Sequence, residues 1–182
     1  MGLATKYENQ FFYGEGIGKD FKGLYPRISD GIGKVFNGII TGETANADTE
    51  MELIDECIDY ISYSTGEKVI VCNPKTRRKL NKLMRNSNTA TTSVEMFGKS
   101  VSKYDEVIIY TSEAVKDNQI FFMNLEENHG VCGLTTNGLI AQELGFQGVH
   151  KVTAVEMIAG LKTPHPRCFA VLEPAMVKTR SK

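Results

Sequence analysis

Val69-Ile70-Val71-Cys72-Asn73-Pro74-Lys75-Thr76-Arg77-Arg78-Lys79-Leu80 holds an apolar strand, a helix cap and the first turns of a helix in one stretch of chain. Lys68 to Cys72 is an apolar run of strand length, bounded by a turn signal. Asn73 then offers a side-chain oxygen to the orphan amides of a helix start, and Pro74 fits the first helical position because its missing N–H would have had no partner there. The helix is expected to run to about Arg85 and to bury Leu80, Leu83 and Met84.

Upstream, the pattern is helical from Asp48. Asp48 or Thr49 can cap, Ile54, Cys57, Ile58 and Ile61 recur at three- and four-residue steps on one face, and Gly66 reads as the stop. Before that, glycine crowds the first 42 residues, and the opening reads as loop-rich. Gly14-Glu15-Gly16-Ile17-Gly18-Lys19 fails both phosphate-binding patterns: Asp20 follows the lysine where Walker A needs Ser or Thr, and Lys19 stands where a dinucleotide fingerprint needs glycine.

Downstream, strand signals dominate. Val94 to Phe97 and Ser100 to Tyr104 read as a hairpin turning at Gly98-Lys99. Glu106 to Thr111 and Gln119 to Leu125 are apolar enough for central strands. Gly130 to Thr135, Gly138 to Leu144, His150 to Leu161 and Cys168 to Glu173 follow, with Pro164 and Pro166 breaking the last pair. Two helices followed by many strands indicate an α+β class, because a parallel α/β fold needs a helix between most successive strands.

With 182 residues, 41% hydrophobic and 24% charged, the chain has the composition of a globular fold of one domain or two joined lobes. The 21 basic and 22 acidic side chains leave a net charge of -1, so no global field recruits nucleic acid or an anionic membrane. Apolar runs such as Val107 to Tyr110 are far shorter than a membrane helix requires. Met1 to Glu15 carries no apolar core of a signal peptide, and Lys6 stands where a myristoylation signal wants Ser or Thr, so no export or lipid anchor is expected.

Charge is segregated by segment. Thr41 to Glu67 holds acids and no Lys or Arg; Lys68 to Ser93 holds bases and no acid. Either these are two solvated helix faces, or the acidic helix of one subunit meets the basic helix of another. In the second case Glu52, Asp55, Glu56 and Asp59 would face Arg77, Arg78 and Lys82 across a subunit interface. Nucleic-acid binding by the basic helix is the weakest option, since the interleaved aromatics of a single-strand binder are missing.

Catalytic and metal chemistry find no support. His129, His150 and His165 are dispersed, Cys57, Cys72, Cys132 and Cys168 lack metal-ligand spacing, and all four cysteines read as reduced, buried, small hydrophobes. A His129–Cys132 couple is poor because Cys132 lies in an apolar segment, and Glu126 and Glu127 are neighbours that point to opposite faces. No catalytic, cofactor-binding or metal residues are expected, and no cofactor.

Several segments in order resemble the tailed-bacteriophage major capsid protein family, whose fold recurs in herpesvirus floor domains and bacterial encapsulin shells. Phe11-Phe12-Tyr13-Gly14-Glu15-Gly16 with Gly23-Leu24 resembles the family's Phe-x-x-Gly-Asp-Gly and Gly-Leu, Glu15 standing for Asp. Asn73-Pro74-Lys75-Thr76 through Leu80 resembles its Met-Asn-x-x-Thr-x-x-x-Leu. Phe97-Gly98-Lys99 and Val107-Ile108-Ile109 correspond loosely to its Gly-x-Pro-Val-Val segment. Glu156 to Leu161, Pro166-Arg167 and Cys168 to Leu172 resemble its closing motifs.

The resemblance implies a capsid-type fold: an axial domain, residues 20–137 plus 164–177, with a central β-sheet flanked by two helices, and a partial peripheral domain of long antiparallel strands, 138–163. An N-terminal segment (1–19) and a tail (178–182) complete the chain. Members carry an arm, an extended loop and a spine helix ahead of this region, so the resemblance implies the C-terminal part of a subunit that folds without closing shells alone.

The implied function is a non-enzymatic coat subunit of a phage or prophage. It would associate with itself into fivefold or sixfold capsomers, enclose DNA without sequence-specific binding, and pass from the host cytoplasm into the virion capsid. The alternatives are an encapsulin-like compartment shell and a small enzyme without a recognisable motif.

Overall fold

Strand β2 (Glu67–Cys72) runs through the centre of a seven-stranded mixed sheet, and its side chains alternate between two cores. Ile70 and Cys72 point into one, Val69 and Val71 into the other, and all four are buried. A strand covered on both faces has no solvent side to leave polar, so its sequence is an unbroken apolar run.

The computed structural model describes residues 3–18, 20–87, 92–96, 99–148 and 150–175. The remaining elements are α1 (Leu3–Tyr13), α2 (Leu24–Arg27), β1 (Lys34–Asn37), α3 (Ala47–Ile61), α4 (Pro74–Asn86), β3 (Thr92–Met96), β4 (Lys99–Tyr104), β5 (Val107–Thr111), β6 (Ile120–Leu125), β7 (Cys132–Gln147), β8 (His150–Lys162) and β9 (Phe169–Glu173). The large sheet has the order β1-β9-β6-β2-β5-β4-β3, with parallel pairing at β1–β9 and β2–β5 and antiparallel pairing elsewhere. The turn expected at Gly98 lies outside the described residues, as does the tail at 178–182.

Helices α3 and α4 cover one face of this sheet. Ile54, Cys57, Ile58 and Ile61 from α3 and Leu80, Leu83 and Met84 from α4 join Ile109, Phe122 and Leu172 in a single core, as their spacing predicts. The Asn73 side chain accepts from Thr76 N at 2.7 Å, the expected cap. At α3 the expected cap is corrected: the helix starts at Ala47 after Asn46, with no side-chain cap bond. Buried Glu50 instead turns back to accept from Thr41 N at 3.0 Å and Gly42 N at 2.9 Å, fixing the loop that enters the helix.

The other sheet face corrects the loop-rich reading of the opening. Residues 3–13 form a helix, and Phe12 packs on Phe121 with ring centroids 4.8 Å apart beside buried Leu24 and Phe169. Gly14 and Gly23 make the close join that follows. Gly23 N donates to Gly14 O at 2.7 Å, and a Cβ at either glycine would come 2.6 Å from the Gln10 carbonyl oxygen, so only glycine fits.

Strands β7 and β8 form a separate two-stranded antiparallel ribbon. The two segments expected at Gly130–Thr135 and Gly138–Leu144 are one strand, interrupted by a register shift between Thr135 and Leu139 where Gly138 has a φ of 67°.

Candidate assembly surface

On α3, the residues opposite the core are Asp48, Glu52, Glu56 and Asp59, at steps of four, four and three, and all are exposed. On α4 they are Arg78, Lys82 and Arg85, also exposed. The two helices pack side by side on the same sheet face, so an acidic lane and a basic lane run next to each other on one outer surface.

Two residues expected in these lanes are engaged within the chain. Tyr104 donates its hydroxyl to Asp55 Oδ1 at 2.7 Å, and half-buried Arg77 donates to Ser102 Oγ at 3.3 Å. Lys75 and Lys79 are likewise held, by Asp117 at 2.9 Å and Asn118 at 2.7 Å. The Lys75 hydrogen bond also keeps the Asp117 carboxyl below the usual carboxylate range. Among the described residues, Glu52, Glu56, Asp59, Arg78 and Lys82 form no ion pair; those present lie elsewhere, such as Lys22–Asp30 and Lys151–Glu143. Asp48 and Arg85 share the lanes and were legible from the same helical steps.

The ribbon supplies an apolar counterpart. Its register puts Leu134 opposite Gly160 and Ile140 opposite Glu156, so Leu134, Ile140 and Ile158 fall on one face despite the intervening shift. They are 51%, 47% and 62% exposed, so the stripe lies in solvent in the single chain.

Contacts at its base fix how the ribbon leaves the lobe. Arg27 donates to Leu161 O at 2.8 Å and to Thr163 Oγ1 at 2.9 Å. Lys162 Nζ donates to Glu127 O at 3.1 Å, and Val131 N to Asn124 O at 2.7 Å. Arg167 Nε donates to Tyr60 O at 2.9 Å, tying the segment after β8 to the end of α3.

Among the described residues, a hollow of about 290 Å³ between the start of β2 and the turn before β5 is lined by Glu67, Lys68, Asp105 and Glu106, none of which forms an ion pair there. Another, of about 440 Å³ beside the start of α4, is lined by Glu113 and by Lys75 and Asp117, which are bound to each other. His129 faces Glu126 at 3.4 Å, while the Cys132 thiol lies 3.4 Å from its neighbour Gly133 O, so the two do not form a couple. Cys57, Cys72 and Cys168 are buried as expected. Cys132 is corrected to half-exposed, because the ribbon that carries it has no sheet packed over it.

The model of the SU10 major capsid protein family matches residues 2–175. The chain belongs to this family. Its fold is also that of solved shell proteins. It matches the SrpI encapsulin complex from Synechococcus elongatus with a TM-score of 0.67 at 17% identity, over 94% of this chain and 61% of that one. It matches the capsid of an empty GTA particle computed with C5 symmetry at 0.64 and 14% identity, over 95% and 64%. For the capsid of cyanophage P-SCSP1u the values are 0.51 and 14%, over 95% and 62%. The chain thus spans less than two thirds of the length of these shell proteins. No curated protein matches it in sequence. Family membership accounts for the order of weak motifs, from the glycine join at Gly14 to the closing strand at Leu172.

Proposed function

We propose that the chain is the coat-building part of a tailed-phage or prophage shell. It associates with copies of itself into fivefold or sixfold capsomers that enclose DNA, first in the host cytoplasm and then in the virion. The observation that carries this reading is the family match across residues 2–175, joined to a fold in which a lobe with charged lanes projects a ribbon bearing an exposed aliphatic stripe. An isolated two-stranded ribbon is marginal in water, so one of this length calls for a neighbour to cover it. DNA is enclosed without being read, in keeping with a net charge of -1.

Head-to-tail contacts that close into rings meet the requirement of a shell. Sedimentation velocity at low salt tests the reading: the chain sediments as multi-subunit species as concentration rises, and a chain that stays monomeric throughout contradicts it. The likeness to an encapsulin favours a compartment shell as the second reading. Portal, terminase and protease genes nearby point to the phage, and a peroxidase or ferritin-like neighbour to the compartment. A reproducible thermal shift with a metal or nucleotide would instead speak for an enzyme.

A further inference from the structure

The charge lanes carry an inference that rests on the coat reading and specifies one of its contacts. Within each lane, neighbours at three- and four-residue steps have the same sign: Glu52 with Glu56, Glu56 with Asp59, Arg78 with Lys82, Lys82 with Arg85. Like charges at these steps destabilise a helix, whereas a solvated face gains from alternating sign. On α3 the helix dipole adds to the cost, since Asp59 lies in a last turn that holds no base, whereas on α4 it favours Arg85 in the last turn.

No ion pair relieves this self-repulsion within the chain: both lanes lie on the far side of their helices from the core, and none of these six residues forms an ion pair among the described residues. Nucleic acid is a poor occupant of the basic lane, since the acidic lane beside it repels phosphate. An opposite lane relieves both at once, and a second copy of the chain presents one.

We propose that subunits meet lane to lane, with Glu52, Glu56 and Asp59 of one copy against Arg78, Lys82 and Arg85 of another. The contact sets register and rejects wrong pairings more than it adds affinity, as complementary charge at a protein interface does.

Two reversed chains test this. Glu52→Lys/Glu56→Lys/Asp59→Lys makes both lanes basic, and Arg78→Glu/Lys82→Glu/Arg85→Glu makes both acidic. At low salt each alone self-associates weaker than the parent by about tenfold or more, and an equimolar mixture of the two recovers association. Should a reversed chain fail to fold, zero-length carboxyl–amine cross-linking of isotopically mixed parent chains gives the answer: Lys82 joins Glu52, Glu56 or Asp59 between copies. Reversed chains that associate as the parent does, a mixture that recovers nothing, or intermolecular cross-links that avoid both lanes overturn the proposal. So does parent binding to duplex DNA that is lost on reversing α4 while self-association is kept. An unchanged association after reversal removes the lanes and leaves the coat reading standing, whereas a parent that never associates removes both.

Discussion

The Tyr25 hydroxyl lies 3.0 and 3.1 Å from the two carboxylate oxygens of Glu173, a buried acid at the end of β9 with no cation among its hydrogen-bond partners. Gln119 donates to the same carboxylate, accepts from the Tyr13 hydroxyl at 2.6 Å, and that hydroxyl accepts from Lys116 N at 3.0 Å. This chain of bonds ties α1, α2 and the segment before β6 to the last strand of the sheet. A buried carboxylate is tolerated there because its lone pairs are met by fixed donors.

Removing that acceptor leaves the buried Gln119 amide and the half-buried Tyr25 hydroxyl without their partner. Glu173→Ala is predicted to lower the unfolding free energy by about 2–3 kcal/mol and Tyr25→Phe by about 1 kcal/mol. Urea unfolding checks both, and an unchanged midpoint in Glu173→Ala contradicts the network's role.

Alkaline pH acts on the same corner. Burial pushes the Tyr13 hydroxyl up from 10.0 to about 12. Between these values the unfolded chain releases a proton that the folded chain keeps. The contribution to stability is therefore whole below pH 10 and is lost as pH rises towards about 12. The loss of urea stability across this window is predicted to be smaller in Tyr13→Phe than in the parent. An equal loss in both assigns the effect to other groups.

Thiol reactivity separates the ribbon from the lobe. Burial pushes Cys57 and Cys72 up to about 12 and Cys168 to about 11, whereas Cys132 sits half-exposed at the ribbon base. Ellman titration of the native chain at neutral pH is predicted to show one fast thiol, absent in Cys132→Ser, with the others reacting only on unfolding. Fast reaction of a second thiol would mean that the core opens readily.

Arg27 governs how firmly the ribbon is rooted, through its bonds to Leu161 O and Thr163 Oγ1. Hydrogen exchange in Arg27→Ala is predicted to quicken at 160–163 while α3 and α4 keep their protection. Equal loosening of the whole lobe would make Arg27 a general core residue.

Helices α3 and α4 were legible because their apolar residues recur at helical steps and Asn73-Pro74 marks a start; β2, β6 and β9 were legible as buried apolar runs. Helix α1 was not, since Phe11, Phe12 and Tyr13 are consecutive and only Phe12 is buried, so its docking on Phe121 carries no period in the sequence. Strand β1 was hidden for a related reason. It is four residues long with Phe36 as its buried member, and it exists through parallel pairing with β9 at the far end of the chain. At the candidate surface the sign of each lane could be read directly, but the diversion of Asp55 to Tyr104 and Arg77 to Ser102 depends on where β4 lies beside the helices. Glu173 gave no signal either, because its side-chain partners, Tyr25 and Gln119, come from two distant segments.

Cryo-electron microscopy of the purified chain at low salt and high concentration tests most directly whether these surfaces are made for copies of the same molecule. The account predicts rings or sheets in which neighbouring lobes oppose acidic to basic lanes and each aliphatic ribbon stripe rests on another subunit. Single lobes at every concentration, with lanes and ribbons left in solvent, would contradict it.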